Sequence, residues 1–213
     1  MSAAVKICGL TDEESIDAAI AAGADYLGFV FCAKSPRNLS AERAAELTQF
    51  VEGVRKVGLF VDADDSQLDE VLSHVRLDLL QFHGAETPER LEQVRREFAL
   101  PVMKAIAVET AADLAGAADF AEVADRLLFD AKPPKGAALP GGNAVSFDWN
   151  LLAGFKSRLP WMLAGGLTAD NVAEAIRLSG AKAVDVSSGV ESAPGVKDPA
   201  RIAAFIRNAR ATV

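Results

Sequence analysis

Short runs of Val, Ile, Leu and Phe recur along the chain, each followed by a longer stretch in which apolar positions return every three or four residues. A strand covered on both faces needs a nearly continuous apolar run, and a helix resting on a sheet needs only one apolar face. Strands are therefore expected at 5–8, 26–31, 56–61, 77–83, 102–106, 126–130, 161–164 and 183–187, with helices between them. Thr11 with Glu14 reads as a capping box, Ser40 precedes a periodic stretch, and Thr87-Pro88 and Asp198-Pro199 set Pro at a first helical position. Gly23 and Gly180 stand where a helix should stop in the left-handed conformation. Eight such β-turn-α units in 213 residues close most economically as a single-domain α/β fold over 1–213, a (β/α)8 TIM barrel. A doubly wound open sheet is the alternative.

In a barrel of this kind the chemistry sits at the carboxyl ends of the strands, and side chains alternate between lumen and helices with period two. That parity puts Lys6 with Cys8, Gln81 with His83, Leu128 with Asp130 and Asp185 with Ser187. Gly165 and Gly166 follow the seventh strand and Ser188 and Gly189 the eighth. Backbone N–H groups in two adjacent turns of this kind form a nest for phosphate without cationic side chains. The segment 132–142, KPPKGAALPGG, is too rich in Pro and Gly for a regular element and reads as a lid over the site.

Composition narrows the partners. A net charge of −8 and a pI near 4.9 argue against nucleic acid or an anionic membrane, so a phosphorylated substrate must be met by local donors. The N-terminus reads as neither a signal peptide nor a spanning helix, which gives the expectation of a cytoplasmic protein. Two cysteines suit free thiols, although a Cys8–Cys32 bridge stays open on sequence, and two histidines and two cysteines lack the close spacing of a metal site.

Lys6-Ile7-Cys8-Gly9-Leu10, Ser35-Pro36-Arg37, Gln81-Phe82-His83-Gly84, Phe129-Asp130, Leu163-Ala164-Gly165-Gly166-Leu167 and the stretch from Val184 to Glu191 resemble, in order and spacing, the motifs of the phosphoribosylanthranilate isomerase family. Phe147-Asp148-Trp149 and Gly195-Val196-Lys197-Asp198 are similar to it as well. The resemblance implies an Amadori rearrangement of a phosphoribosyl substrate without a cofactor or metal, by a monomer or homodimer. It implies Asp130 as the acid that opens the ribose ring and Cys8 as the base at the sugar C2. Arg37 would pair with the anthranilate carboxylate through two parallel bonds and Asp185 would bind a ribose hydroxyl, with His83 and Gly142 completing the substrate site. Lys6 is one candidate to draw the Cys8 thiol below its ordinary pKa, the alternative being a buried counter-charge to a carboxylate such as Asp185. His83, read from the residues alone, is a hydrogen-bonded residue at the barrel mouth that orders its neighbours. The chain departs from the family pattern at Asn143-Ala144, where Thr-Gly is usual, and at Phe82, which replaces Leu and points outward by parity. The competing readings are a ribulose-phosphate epimerase-like barrel and a noncatalytic phosphosugar-binding barrel.

Overall fold

The computed structural model describes residues 2–134, 136, 141–142 and 145–211. Each expected apolar run is a strand: β1 Ala4–Cys8, β2 Tyr26–Phe31, β3 Arg55–Phe60, β4 Leu79–Phe82, β5 Val102–Val108, β6 Arg126–Ala131, β7 Trp161–Leu163 and β8 Ala183–Val186. Every strand runs parallel to the next, and β8 returns to β1 to close the barrel, with Lys6 opposite Asp185 in the closing register. Outside lie α1 Glu13–Ala22, α2 Ala41–Thr48, α3 Asp65–His74, α4 Pro88–Phe98, α5 Val172–Ser179 and α6 Pro199–Arg210.

Local chemistry starts and stops these helices. The side chains of Ser40, Thr87 and Asp198 accept from backbone N–H groups in the first turns of α2, α4 and α6, and Gly23 and Gly180 end α1 and α5 at φ 89° and 74°. The cap of α1 is Asp12, which accepts from Ser15 N at 2.8 Å, and not Thr11. A carboxylate there also favours the positive end of the helix. Two connections are not the α-helices the repeat predicts. The segment Ala111–Phe120 is a 310 helix, and only Ala117 and Phe120 of it are buried, too little apolar surface to hold a full helix on the sheet. Between β6 and β7 the described residues contain only the short 310 turn Trp149–Leu152. A hairpin that the sequence reading lacked, β9 Glu191–Ala193 with β10 Val196–Lys197, follows β8.

Strand parity divides the buried side chains into two cores. Val5, Ile7, Leu27, Phe29, Phe82 and Phe129 face the helices, whereas Tyr26, Val57, Leu79, Met103, Leu128 and Met162 fill the lumen. Phe82 stacks on Phe60 in the outer layer, where the extra size of its ring is accommodated. Above the lumen core the inward positions turn polar. Lys6, fully buried, donates to Asp185 Oδ1 at 3.0 Å across the closing seam.

Removal of one partner from a buried pair leaves the other uncompensated, so Lys6→Met should lower unfolding free energy by about 3–5 kcal/mol. Lys6→Met combined with Asp185→Leu should recover much of that loss in urea unfolding; an additive double variant would show that the pair does not hold the seam.

Candidate active site

The strand ends and the turns after them surround one cleft. It is lined by Cys8, Arg37, His83, Asp130, Asp185 and Gly142, and on one side by Gly165, Gly166, Ser188 and Gly189. Every residue to which the sequence assigned a catalytic, substrate or phosphate role therefore reaches the same space, and apolar Val30, Leu59, Val61 and Val145 form part of the remaining wall. Of the expected lid, only 132–134, 136, 141 and 142 are described; Asn143-Ala144 lies outside the described residues.

Cys8 ends β1 beside Gly28 of β2, its register partner. A Cβ at Gly28 would stand only 3.0 Å from Cys8 Sγ and from Lys6 Nζ, so the absence of a side chain there is what gives these groups room. Burial pushes the Cys8 thiol above its ordinary pKa, and the Lys6 ammonium, which pulls the other way, does not overcome it. This corrects the expected downward shift. Lys6 is itself above its ordinary value: burial acts against the ammonium, but Asp185 and the Cys8 sulfur outweigh it. Asp185, behind Lys6, adds to the upward pull on the thiol.

A Cys8–Cys32 disulfide is ruled out by register. Gly28 lies opposite Cys8, and β2 stays extended to Phe31, roughly 10 Å farther along at about 3.3 Å per residue. Disulfides need Cα atoms within about 7 Å, and both cysteines are free.

Asp130 sits near the end of β6. Its Oδ1 accepts from Ala131 N at 2.8 Å, and its Oδ2 lies 3.1 Å from His83 Nε2. Gly165 is close behind, with φ 85°, and an added Cβ would come within 2.6 Å of Ala131 N. No other residue fits that turn without moving Asp130. The side chain of Asn171 shapes the same turn by donating to Gly166 O at 2.9 Å and accepting from Thr168 N at 2.7 Å.

Arg37 is buried, and one edge of its guanidinium is already taken. Nε and Nη2 donate to the two carboxylate oxygens of Glu191 at 2.6 and 2.8 Å. The opposite edge, the two N–H groups of Nη1 and the second one of Nη2, lies next to Gly142, where an added Cβ would meet Nη1 at 2.8 Å. That edge still carries two parallel donors, so a two-bond grip on a ligand carboxylate stays open to it. Glu191 also accepts from Lys197 Nζ at 2.7 Å, and Lys197 donates to Ser187 O at 3.0 Å, tying the last turn of the cleft to the arginine. Burial would raise the Glu191 carboxyl, yet Arg37 and Lys197 together hold it below its ordinary value. Lys197, buried and sharing its one carboxylate, is held below its own.

The sequence reading missed Glu191 and Lys197 as a unit, and also Glu86 with Lys104. Lys104 donates to Glu86 Oε2 at 2.7 Å and to Gly84 O at 2.6 Å, while Glu86 accepts from the N–H groups of Asp62 and Gly84, so the loop after His83 is fixed from below. The available signal was a lone Lys within the apolar run VMKAIAV, the same signal that Lys6 gives in β1.

The chain matches the family model for N-(5'phosphoribosyl)anthranilate (PRA) isomerase over residues 5–208. It is 67% identical over 211 residues to the N-(5'-phosphoribosyl)anthranilate isomerase of Paramagnetospirillum magneticum, covering 99% of this chain and 98% of the relative. The structure of phosphoribosyl anthranilate isomerase from Thermotoga maritima superposes with a TM-score of 0.88 at 36% identity, over 98% of this chain and 99% of that one. A phosphoribosyl anthranilate isomerase in complex with reduced 1-(o-carboxyphenylamino)-1-deoxyribulose 5-phosphate is similar at a TM-score of 0.85 and 35% identity, again over 98% and 99%.

Cys32 is more exposed than Cys8 in the same cleft. Iodoacetamide at neutral pH should therefore label Cys32 first, and Cys8 labelling should grow only above the ordinary thiol pKa of about 8.5. Peptide mass mapping reads both; equal labelling at neutral pH would contradict the buried, protonated Cys8.

Proposed function

The chain belongs to the N-(5'-phosphoribosyl)anthranilate isomerase family and is an isomerase of tryptophan biosynthesis; on that premise we propose that Cys8 and Asp130 perform its Amadori rearrangement. The observation that carries this assignment is their meeting in one cleft, between the Arg37 edge on one side and the two Gly-rich turns on the other.

Phosphate bound at Gly165, Gly166, Ser188 and Gly189 and carboxylate bound by Arg37 Nη1 anchor the substrate at its two charged ends. The reacting sugar carbons then lie between Asp130 and Cys8. Asp130 gives a proton to the furanose ring oxygen, the C1–O bond breaks and the nitrogen lone pair forms an iminium. The thiolate of Cys8 removes the C2 proton, the electrons form an enolamine, and a proton added at C1 with loss of the proton from the C2 hydroxyl gives the 2-ketone, 1-(2-carboxyphenylamino)-1-deoxyribulose 5-phosphate. The positive iminium arises beside Cys8 and favours the thiolate that burial disfavours in the free protein. Asp185 contacts a ribose hydroxyl through the oxygen that Lys6 leaves open, and His83 acts on Asp130. No step calls for a cofactor.

The chain works in this reading as one domain over 1–213, because its first strand pairs with its last. Two free thiols suit a reducing cytoplasm, and among the described residues no helix is long and apolar enough to cross a membrane.

Cys8→Ala and Asp130→Asn should each lower kcat by about 10²–10⁴, measured as the loss of fluorescence of phosphoribosylanthranilate made in situ. A variant at wild-type rate would remove that residue from its role. Arg37→Ala should mainly raise KM, and Glu191→Gln should do so to a lesser degree, since it loosens the fork but keeps its cation. An unchanged KM in both would move the carboxylate site elsewhere.

A further inference from the structure

Gln81 is fully buried in β4, inward-facing like Leu79 two residues before it, and it sits behind the acid and not against the substrate. Its Nε2 lies 3.2 Å from His83 Nδ1, and His83 Nε2 lies 3.1 Å from Asp130 Oδ2. Its Oε1 is buried with no hydrogen-bond partner among the described residues. Three side chains from two strands thus form a line that ends on the acid.

We infer that Gln81 is a positioning residue that holds His83 in the tautomer bearing its proton on Nε2; the inference rests on the assignment of Asp130 as the acid. Two physical arguments select this state. Rotation of the amide would turn Nε2 toward the place where Oε1 finds no partner, and orphaned buried N–H groups are tolerated less well than under-satisfied carbonyl oxygens. At the other end of the line Asp130 Oδ1 already accepts from Ala131 N, and an Nε2–H gives Oδ2 a donor as well.

The consequence is catalytic. A donor aimed at Asp130 Oδ2 stabilises the carboxylate that appears when the proton leaves for the ring oxygen, so the bond is stronger in the transition state than before it. The opposite tautomer would present a lone pair at Nε2 and draw the acid's proton to itself. Gln81 blocks that diversion by occupying Nδ1 with a donor. It touches neither the substrate nor the reacting atoms, and it acts through His83.

The protein contains only two histidines, which makes the tautomer directly readable by long-range proton–nitrogen NMR on 15N-histidine-labelled protein at pH 8. His74 is a built-in reference, because its Nδ1 lies 2.8 Å from Glu70 O, which can only accept, so it carries its proton on the opposite nitrogen. His74→Gln assigns the signals. Wild-type His83 should show protonated Nε2 and acceptor Nδ1. Gln81→Met should bring in the Nδ1–H form and lower kcat about tenfold, as loss of one such bond near 1.4 kcal/mol does, with KM changed less than about twofold. Gln81→Glu, whose carboxylate can only accept, should turn Nδ1 from acceptor into donor in the same spectrum, and it serves if Gln81→Met does not fold; Nδ1 left as an acceptor there would count against the inference. A wild-type His83 with Nδ1–H, or a Gln81→Met enzyme with both tautomer and rate unchanged, would overturn the inference. Full turnover in Asp130→Asn would instead overturn the acid assignment and the catalytic consequence, while the NMR reading would still stand for the tautomer.

Discussion

Lys6 and Asp185 meet across the seam where the first strand pairs with the last, and both the closed barrel and the floor of the cleft depend on that meeting. A charged pair in the lumen is a poor source of stability in itself, since taking two ions from water offsets most of their attraction. Its value lies in register. A slip of one residue at the seam would turn Lys6 and Asp185 outward among the helices and bring Val5 and Val184 inward, separating two buried charges and losing the apolar contacts of both strands. The seam therefore has one acceptable alignment, and Cys8 and Ser187 are carried to the cleft by it.

The cleft as a whole is built from charges held by other charges, on a protein whose net charge is −8. Arg37 is gripped by Glu191, Glu191 by Lys197, and Lys197 reaches back to Ser187 in the turn beside the proposed phosphate position. Glu86 and Lys104 do the same for the loop after His83. Rotamer-rich side chains fixed in this way lose little further freedom when a ligand arrives, so more of the contact energy remains for binding. The burial that permits such networks also keeps Cys8 protonated at rest, and in the proposed mechanism this couples the base to the charge that appears only during ring opening.

The period of the apolar pattern was enough to find all eight strands and the face each side chain takes, because a strand buried on both sides tolerates few polar interruptions. The caps at Ser40, Thr87 and Asp198 were equally legible, being local hydrogen bonds between near neighbours. The cap at Asp12 was not, since Thr11 and Asp12 are both good caps and the choice depends on how the chain leaves β1. The 310 segment after β5 was missed for a related reason: its Ala-rich sequence favours a helix, but too little of it is buried to stabilise one.

By itself the sequence determined the barrel, the two-residue alternation that gathers Cys8, His83, Asp130 and Asp185 at one end, and the motif set that gives the family. Only the tertiary structure decided which charge meets which. The spacing from Arg37 to Glu191 or from Lys104 to Glu86 carries no period, because these pairs are joined by loops and by strands that are neighbours only after folding. That is also why the Glu191 grip on one edge of Arg37 was not anticipated, and why Lys6 was expected to lower the Cys8 thiol: Glu191 comes from the far end of the chain, and burial appears only when the barrel closes.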